Sequence, residues 1–224
     1  MKKLYALIAL TIIGNLTVSG QFTFKNNKAK QPGKTIQNNP QQLKQRSSTN
    51  TTQAVIWSDD FSTPSNWIID HEPGTDGDWV IGTTGPAGAA AINPIQSATA
   101  ANGFAKFDSD SICSYNQIGN LTTANPINLT GYPAVSLEFS QYYARYYDST
   151  YIYVSNDNVN WTKFEVNGNL VVNEFSANNN PAINPDIVSV NISSVAGNQP
   201  TVWIRFQFYS PSTIDVLAGC GYSW

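Results

Sequence analysis

Residues 132–161, YPAVSLEFSQYYARYYDSTYIYVSNDNVNW, carry the clearest alternation of apolar and polar positions in the chain. Val135, Leu137 and Phe139 alternate with Ser136, Glu138 and Ser140; further on, Tyr151 and Tyr153 alternate with Ile152 and Val154. A period of two sends one set of side chains to a buried sheet face and the other toward solvent. β-Branched and aromatic residues suit such a half-buried, pleated surface. The spacing predicts two strands forming a central hairpin. A tight turn follows over the polar run 155–160, where Asp157 and the asparagines bond their own backbone. Trp161 is expected to drop back onto the sheet.

The same pattern recurs in short pieces at 55–57, 67–69, 79–81, 103–107, 163–166, 170–172 and 186–192. Residues 121–129 read as strand, loop and strand, broken by Pro126. In 201–209, Val202, Ile204, Phe206 and Phe208 share one face, and Trp203, Arg205, Gln207 and Tyr209 share the other. Many short strands separated by turn signals, with no convincing helical period, predict an all-β antiparallel sandwich. Residues 82–94 hold five Gly or Pro residues but lack the Gly-Lys-Ser/Thr ending of a phosphate-binding loop, so they read as a plain loop.

The N-terminus is patterned differently. Lys2 and Lys3 precede an apolar run at 4–13, too short for a membrane span, and Val18-Ser19-Gly20 offers small residues for cleavage. Residues 1–20 therefore read as a signal peptide, with an exported destination, secreted or at the cell surface. Residues 21–54 are rich in Gln, Asn, Lys, Ser, Thr and Pro and read as a disordered basic linker, because they lack the apolar surface to offset chain entropy. The folded part is expected at 55–224.

Only 12% of the residues are charged, which suits a secreted β protein. The formal net charge of −3 hides an asymmetry. From residue 55 onward, four basic residues face fifteen acidic ones, a net of −11, while 21–54 hold six basic residues and no acidic one. Such an acidic domain repels phosphates, which argues against a nucleic-acid partner, and it favours cations. Cys113 and Cys220 are the two cysteines. An exported chain can hold a bridge between them, and two free thiols are the alternative.

Catalysis finds little support. The lone histidine, His71, sits in a His-Glu-Pro-Gly loop, and no G-x-S-x-G elbow accompanies it. The carboxylate pairs Asp59/Asp60, Asp76/Asp78 and Asp108/Asp110 suit turns or calcium sites better than glycoside hydrolysis. The tyrosine-rich segment from Tyr142 to Tyr153 is a candidate aromatic platform for sugar rings, with Tyr143, Tyr146 and Tyr147 at its centre, because tyrosine joins apolar area to a polar tip. Cross-strand packing within a hairpin is the competing explanation.

The ordered series of short motifs resembles the bacterial cleaved-adhesin, or choice-of-anchor J, modules, which are MAM-like jelly rolls on exported proteins of Bacteroidetes-type bacteria. The matching pieces are Trp57-Ser58-Asp59-Asp60-Phe61-Ser62, Asp78-Trp79, Phe104-Ala105-Lys106-Phe107-Asp108-Ser109-Asp110 and Asn128-Leu129-Thr130-Gly131-Tyr132. They continue with Val154-Ser155-Asn156-Asp157, Val202-Trp203-Ile204-Arg205-Phe206 and Gly221-Tyr222-Ser223-Trp224. The resemblance implies a jelly roll with structural Ca²⁺, held by Asp60 and Asp108 with Asp59 and Asp110 behind them. It implies adhesion to an extracellular glycan or to a host or matrix protein. The alternative is a role as the N-terminal accessory piece of a secreted peptidase or glycosidase. Such modules continue past Gly-Tyr-Ser-Trp with a hydrophobic-Asp-Asp-hydrophobic strand, so the domain is expected to lack its last strand and to leave an open edge.

Overall fold

A computed structural model describes residues 8–12, 54–114 and 116–210. Eleven strands account for most of the regular structure: β1 (Ile8–Ile12), β2 (Val55–Asp59), β3 (Trp67–His71), β4 (Val80–Gly82), β5 (Phe104–Lys106), β6 (Gln117–Thr123), β7 (Val135–Gln141), β8 (Ser149–Ser155), β9 (Thr162–Val166), β10 (Asp186–Asn191) and β11 (Trp203–Ser210). Among the described residues, helical structure is limited to single turns such as Ser109–Ile112 and Ser193–Ala196.

One sheet has the order β10-β7-β1-β2, a second has β3-β6-β11-β8-β9, and β4 and β5 form a two-stranded ribbon. Every ladder between named strands is antiparallel. The core lies between the two large sheets, as the alternation requires. Leu137 and Phe139 of one sheet and Ile152, Val154, Ile204, Phe206 and Phe208 of the other are all buried. Aromatic rings bind the layers: Phe139 meets Phe206 edge-on at 5.1 Å, and Phe107 stacks on Phe208 at 4.3 Å. Such pairs add to plain area burial. Gly119 makes the Phe107 stack possible, because a Cβ there would sit 2.3 Å from the Phe107 ring.

The expected all-β sandwich is what the chain forms, and 201–209 is used as its alternation predicts. Three local expectations change. β7 and β8 do not form a hairpin; they belong to different sheets, since β7 pairs with β1 and β10 while β8 pairs with β9 and β11. Their apolar faces look at each other across the core, and the connection 142–148 crosses between layers. Residues 170–172 form no strand, because Leu170 closes a turn onto Asn167 while Val171 is exposed. β6 begins at Gln117, earlier than the apolar pattern suggests, because Gly119 and Asn120 are buried by tertiary neighbours rather than by their own hydrophobicity. The structure also uses part of the apolar leader run as β1, between β2 and β7. Ile-Ala-Leu-Thr-Ile satisfies strand alternation as well as leader hydrophobicity.

Candidate functional site

The outward face of the five-stranded sheet gathers the richest chemistry. Antiparallel register lines up two rows across all five strands. The first runs Glu165, Tyr151, Gln207, Asn120, Asp70; the second runs Lys163, Tyr153, Arg205, Thr122, Ile68. Directly opposed residues share a face, so each row is a contiguous stripe.

Hydrogen bonds tie the first row together. Gln207 Nε2 donates to Asn120 Oδ1 at 2.9 Å. Asn120 Nδ2 donates to Asp70 Oδ1 at 2.9 Å and to Glu72 Oε1 at 3.2 Å. In the second row Arg205 Nε donates to Thr122 Oγ1 at 3.0 Å. Aromatic rings flank this amide and carboxylate floor. Tyr151 lies 6.2 Å from Tyr153 and 5.7 Å from Tyr209. Lys163 sits over the Tyr151 ring at 4.4 Å, and the Arg205 guanidinium sits over Trp161 at 4.2 Å, so Trp161 does return onto the sheet. These cation–π contacts hold the rings in fixed orientations. Partial burial, with Tyr151 and Tyr209 nearby, raises the Tyr153 pKa, so its hydroxyl stays protonated and able to donate. The Asn120 and Gln207 amides and the Thr122 hydroxyl are themselves buried and brace the layer above them, so what the surface presents is the partly exposed rings of Tyr151, Tyr153 and Tyr209 with Arg205 and the exposed Asp70, Lys163 and Glu165.

The predicted platform at Tyr143, Tyr146 and Tyr147 divides. Tyr143 is fully buried and offers no surface to a ligand. Its hydroxyl donates to Asp148, itself buried, whose carboxylate also accepts from the Tyr146 N–H at 3.1 Å. Burial drives the Asp148 pKa up to about 6 against those two hydrogen bonds, and burial beside Asp148 pushes the Tyr143 phenol well above its ordinary range. This pair anchors the 142–148 connection. Tyr146 and Tyr147 remain near the surface, 4.6 Å apart and edge-on, with Tyr147 59% exposed. Edge-on rings do not make one flat platform. Sequence reasoning placed Tyr151 and Tyr153 within the tyrosine-rich segment, but Asn120, Gln207, Arg205, Asp70 and Trp161 were not singled out as site residues. The outward set at 203–209 was the available signal.

The four candidate calcium ligands are engaged by N–H donors. Asp59 Oδ1 accepts from the Phe61 N–H at 2.7 Å and from Trp67 Nε1 at 3.1 Å, and its Oδ2 accepts from Asn66 at 2.7 Å. Asp60 closes a turn onto Ser62 and accepts from Asn102 at 2.7 Å, and the Ser62 bonds hold its carboxyl below the usual range. Asp108 caps the helical turn at Ser109–Ile112 and accepts from the Ala87 N–H at 2.8 Å, with Lys106 Nζ 3.3 Å away. Asp110 accepts from the Ala90 N–H at 2.7 Å. Asp108 and Asp110 thus fasten the 82–94 loop, whose glycines and prolines earned it a loop assignment. Calcium needs six to eight oxygen ligands. Among the described residues no group of three or more His, Cys, Asp or Glu side chains converges as a metal site, and an ammonium stands beside Asp108. As arranged, this donor set does not fit the ion.

Cys113 is disulfide-bonded. Cys220 is the chain's other cysteine and lies outside the described residues, as does the Gly-Tyr-Ser-Trp motif. His71 is surface-exposed, 2.9 Å from Asp78, whose hydrogen bond and charge raise its pKa. No helix among the described residues is long and apolar enough to cross a membrane. No family model matches the chain, and no curated protein matches it.

Proposed function

We propose that the protein is an exported, non-catalytic binding module that takes neutral glycan chains on the outward face of its five-stranded sheet. The observation that carries this reading is the pair of five-residue rows just described. In them the Gln207–Asn120–Asp70 hydrogen-bonded chain lies beside the rings of Tyr151, Tyr153 and Tyr209. Sugar rings offer apolar C–H faces and a periphery of hydroxyls, and this surface offers aromatic area and both donors and acceptors in return. A sheet face also suits an extended polymer, because its rows repeat and its backbone is held on both sides. The resemblance to adhesin-type modules supports the same class, and so does the acidic net charge, which disfavours polyanionic ligands. Calcium is not part of this proposal, because the four aspartates are committed to N–H donors.

The test is a glycan array followed by calorimetric titration of any hit against the full chain. Tyr153→Ala and Tyr151→Ala are each expected to weaken binding at least tenfold, while Tyr147→Ala, on the separate connection, leaves it unchanged. A blank array, or binding that survives both sheet substitutions, removes the proposal.

A further inference from the structure

We infer that the cavity between the two large sheets at Phe139 and Phe206 is a second binding site, built for a small uncharged molecule that carries a single aromatic ring. It is independent of glycan binding, which uses the outward face of the five-stranded sheet. The cavity has about 600 Å³ of empty space, the part open to solvent included. Its walls have the composition of a small-molecule site, mostly apolar and aromatic with few polar groups. Phe139 comes from β7 in one sheet and Phe206 from β11 in the other, while Phe104 comes from the β4–β5 ribbon. Trp79 immediately precedes β4, and Ile92 lies on the loop between β4 and β5. All five side chains are buried.

The cavity is braced against collapse. Its loop wall, which contributes Pro86, Ile92 and Ile95, is fastened at its start by Asp108 and Asp110, which accept from the Ala87 and Ala90 N–H groups. Asn184 fastens its end: Oδ1 accepts from the Gln96 N–H at 2.8 Å, and Nδ2 donates to the Pro94 carbonyl at 3.0 Å. Walls anchored elsewhere do not close on one another, and an unfilled apolar space forfeits the dispersion contacts of its lining. A ligand restores them. The rings then define its shape. Phe139 and Phe206 meet at 89° with their centroids 5.1 Å apart. A third ring parallel to one of them is perpendicular to the other, so it stacks on the first and meets the second edge-on, the two arrangements that aromatic quadrupoles favour. A saturated ring of the same size gains area burial alone. The polar groups define its charge. Lys106 Nζ donates to the Gly85 carbonyl at 2.7 Å and lies 3.3 Å from Asp108. Gln141 Nε2 donates to Asn167 and Asp186, and the Tyr142 hydroxyl donates to the Pro181 carbonyl. No carboxylate stands among the described lining residues. Neither an anion nor a cation therefore meets an unpaired counter-charge here, while the exposed Asn93 amide suits one hydroxyl substituent.

The experiment titrates the full chain into para-fluorophenol and follows the ligand by fluorine NMR. A saturable shift and broadening is expected. Cyclohexanol, which matches the size and the hydroxyl but has no π face, should compete at least tenfold more weakly than phenol. Para-fluorobenzoate, whose carboxylate finds Lys106 already held, should bind at least tenfold more weakly than para-fluorophenol. Ala105→Phe and Ile92→Phe each put a ring into the cavity from a different wall. Both should lose at least tenfold in affinity with Tm unchanged or raised, because the new side chain takes the place of the ligand. Tyr147→Ala, away from the cavity, should bind as the unsubstituted chain does. Absence of saturable binding to the unsubstituted chain, undiminished binding to either filled variant, or cyclohexanol competing as well as phenol overturns the inference.

Discussion

Removing the Tyr143 hydroxyl gives a test whose size depends on pH. Asp148 is 97% removed from solvent, as its 3% exposure shows, and its pKa rises from 3.8 to about 6. At 1.36 kcal/mol per pKa unit, that rise corresponds to about 3 kcal/mol of stability missing at neutral pH relative to a solvated carboxylate. Because the folded value is the higher one, the folded chain keeps a proton that the unfolded chain has released between about pH 4 and 6. The contribution of this group therefore falls as pH rises through that window and stays low above it. Tyr143→Phe deletes the donor that favours the charged form, so it pushes the Asp148 pKa higher still. Its cost is a hydrogen bond to a charged group at pH 7.5, about 2–3 kcal/mol, and a hydrogen bond to a neutral acid at pH 5, about 1 kcal/mol. Urea denaturation of both proteins at both pH values measures the difference directly. An equal cost at pH 5 and pH 7.5, or less than about 0.5 kcal/mol at either, refutes the account of a buried carboxylate held by this phenol.

Gly119→Ala forces a methyl to within 2.3 Å of the Phe107 ring and 2.8 Å of the Gly77 carbonyl, so thermal unfolding should report a loss of about 1–3 kcal/mol or more. Asp59→Ala leaves the Phe61 N–H, the Asn66 amide and the buried Trp67 indole without their acceptor; urea denaturation should show a cost of about 2–4 kcal/mol. Reduction of the Cys113 disulfide should lower stability by about 2–4 kcal/mol, read as a drop in Tm with dithiothreitol. Because the acidic loops already satisfy their carboxylates with N–H donors, adding Ca²⁺ and then EDTA should leave Tm unchanged; a calcium-dependent rise would show that these loops rearrange around the ion.

The sequence by itself determined the fold class and most strand positions, because period-two alternation is a local property that any sandwich core must satisfy. Val202, Ile204, Phe206 and Phe208 are buried as their spacing requires, and Asp157 closes the 155–160 turn through its bonds to Val159 and Asn160. The aspartates were visible as loop carboxylates, but their chemistry was not. Whether Asp108 meets a cation or the Ala87 N–H depends on a loop twenty-one residues away. Tyr143 and Tyr147 look alike in the chain, yet one is sealed in the core and the other lies open, because the 142–148 connection crosses between sheets rather than turning within one. The cross-strand rows likewise exist only after pairing, when register sets Glu165, Tyr151, Gln207, Asn120 and Asp70 side by side. Alternation tells each strand which face is inward. Only tertiary pairing decides which outward residues become neighbours, because register is fixed by the shared core and not by the strands that display them.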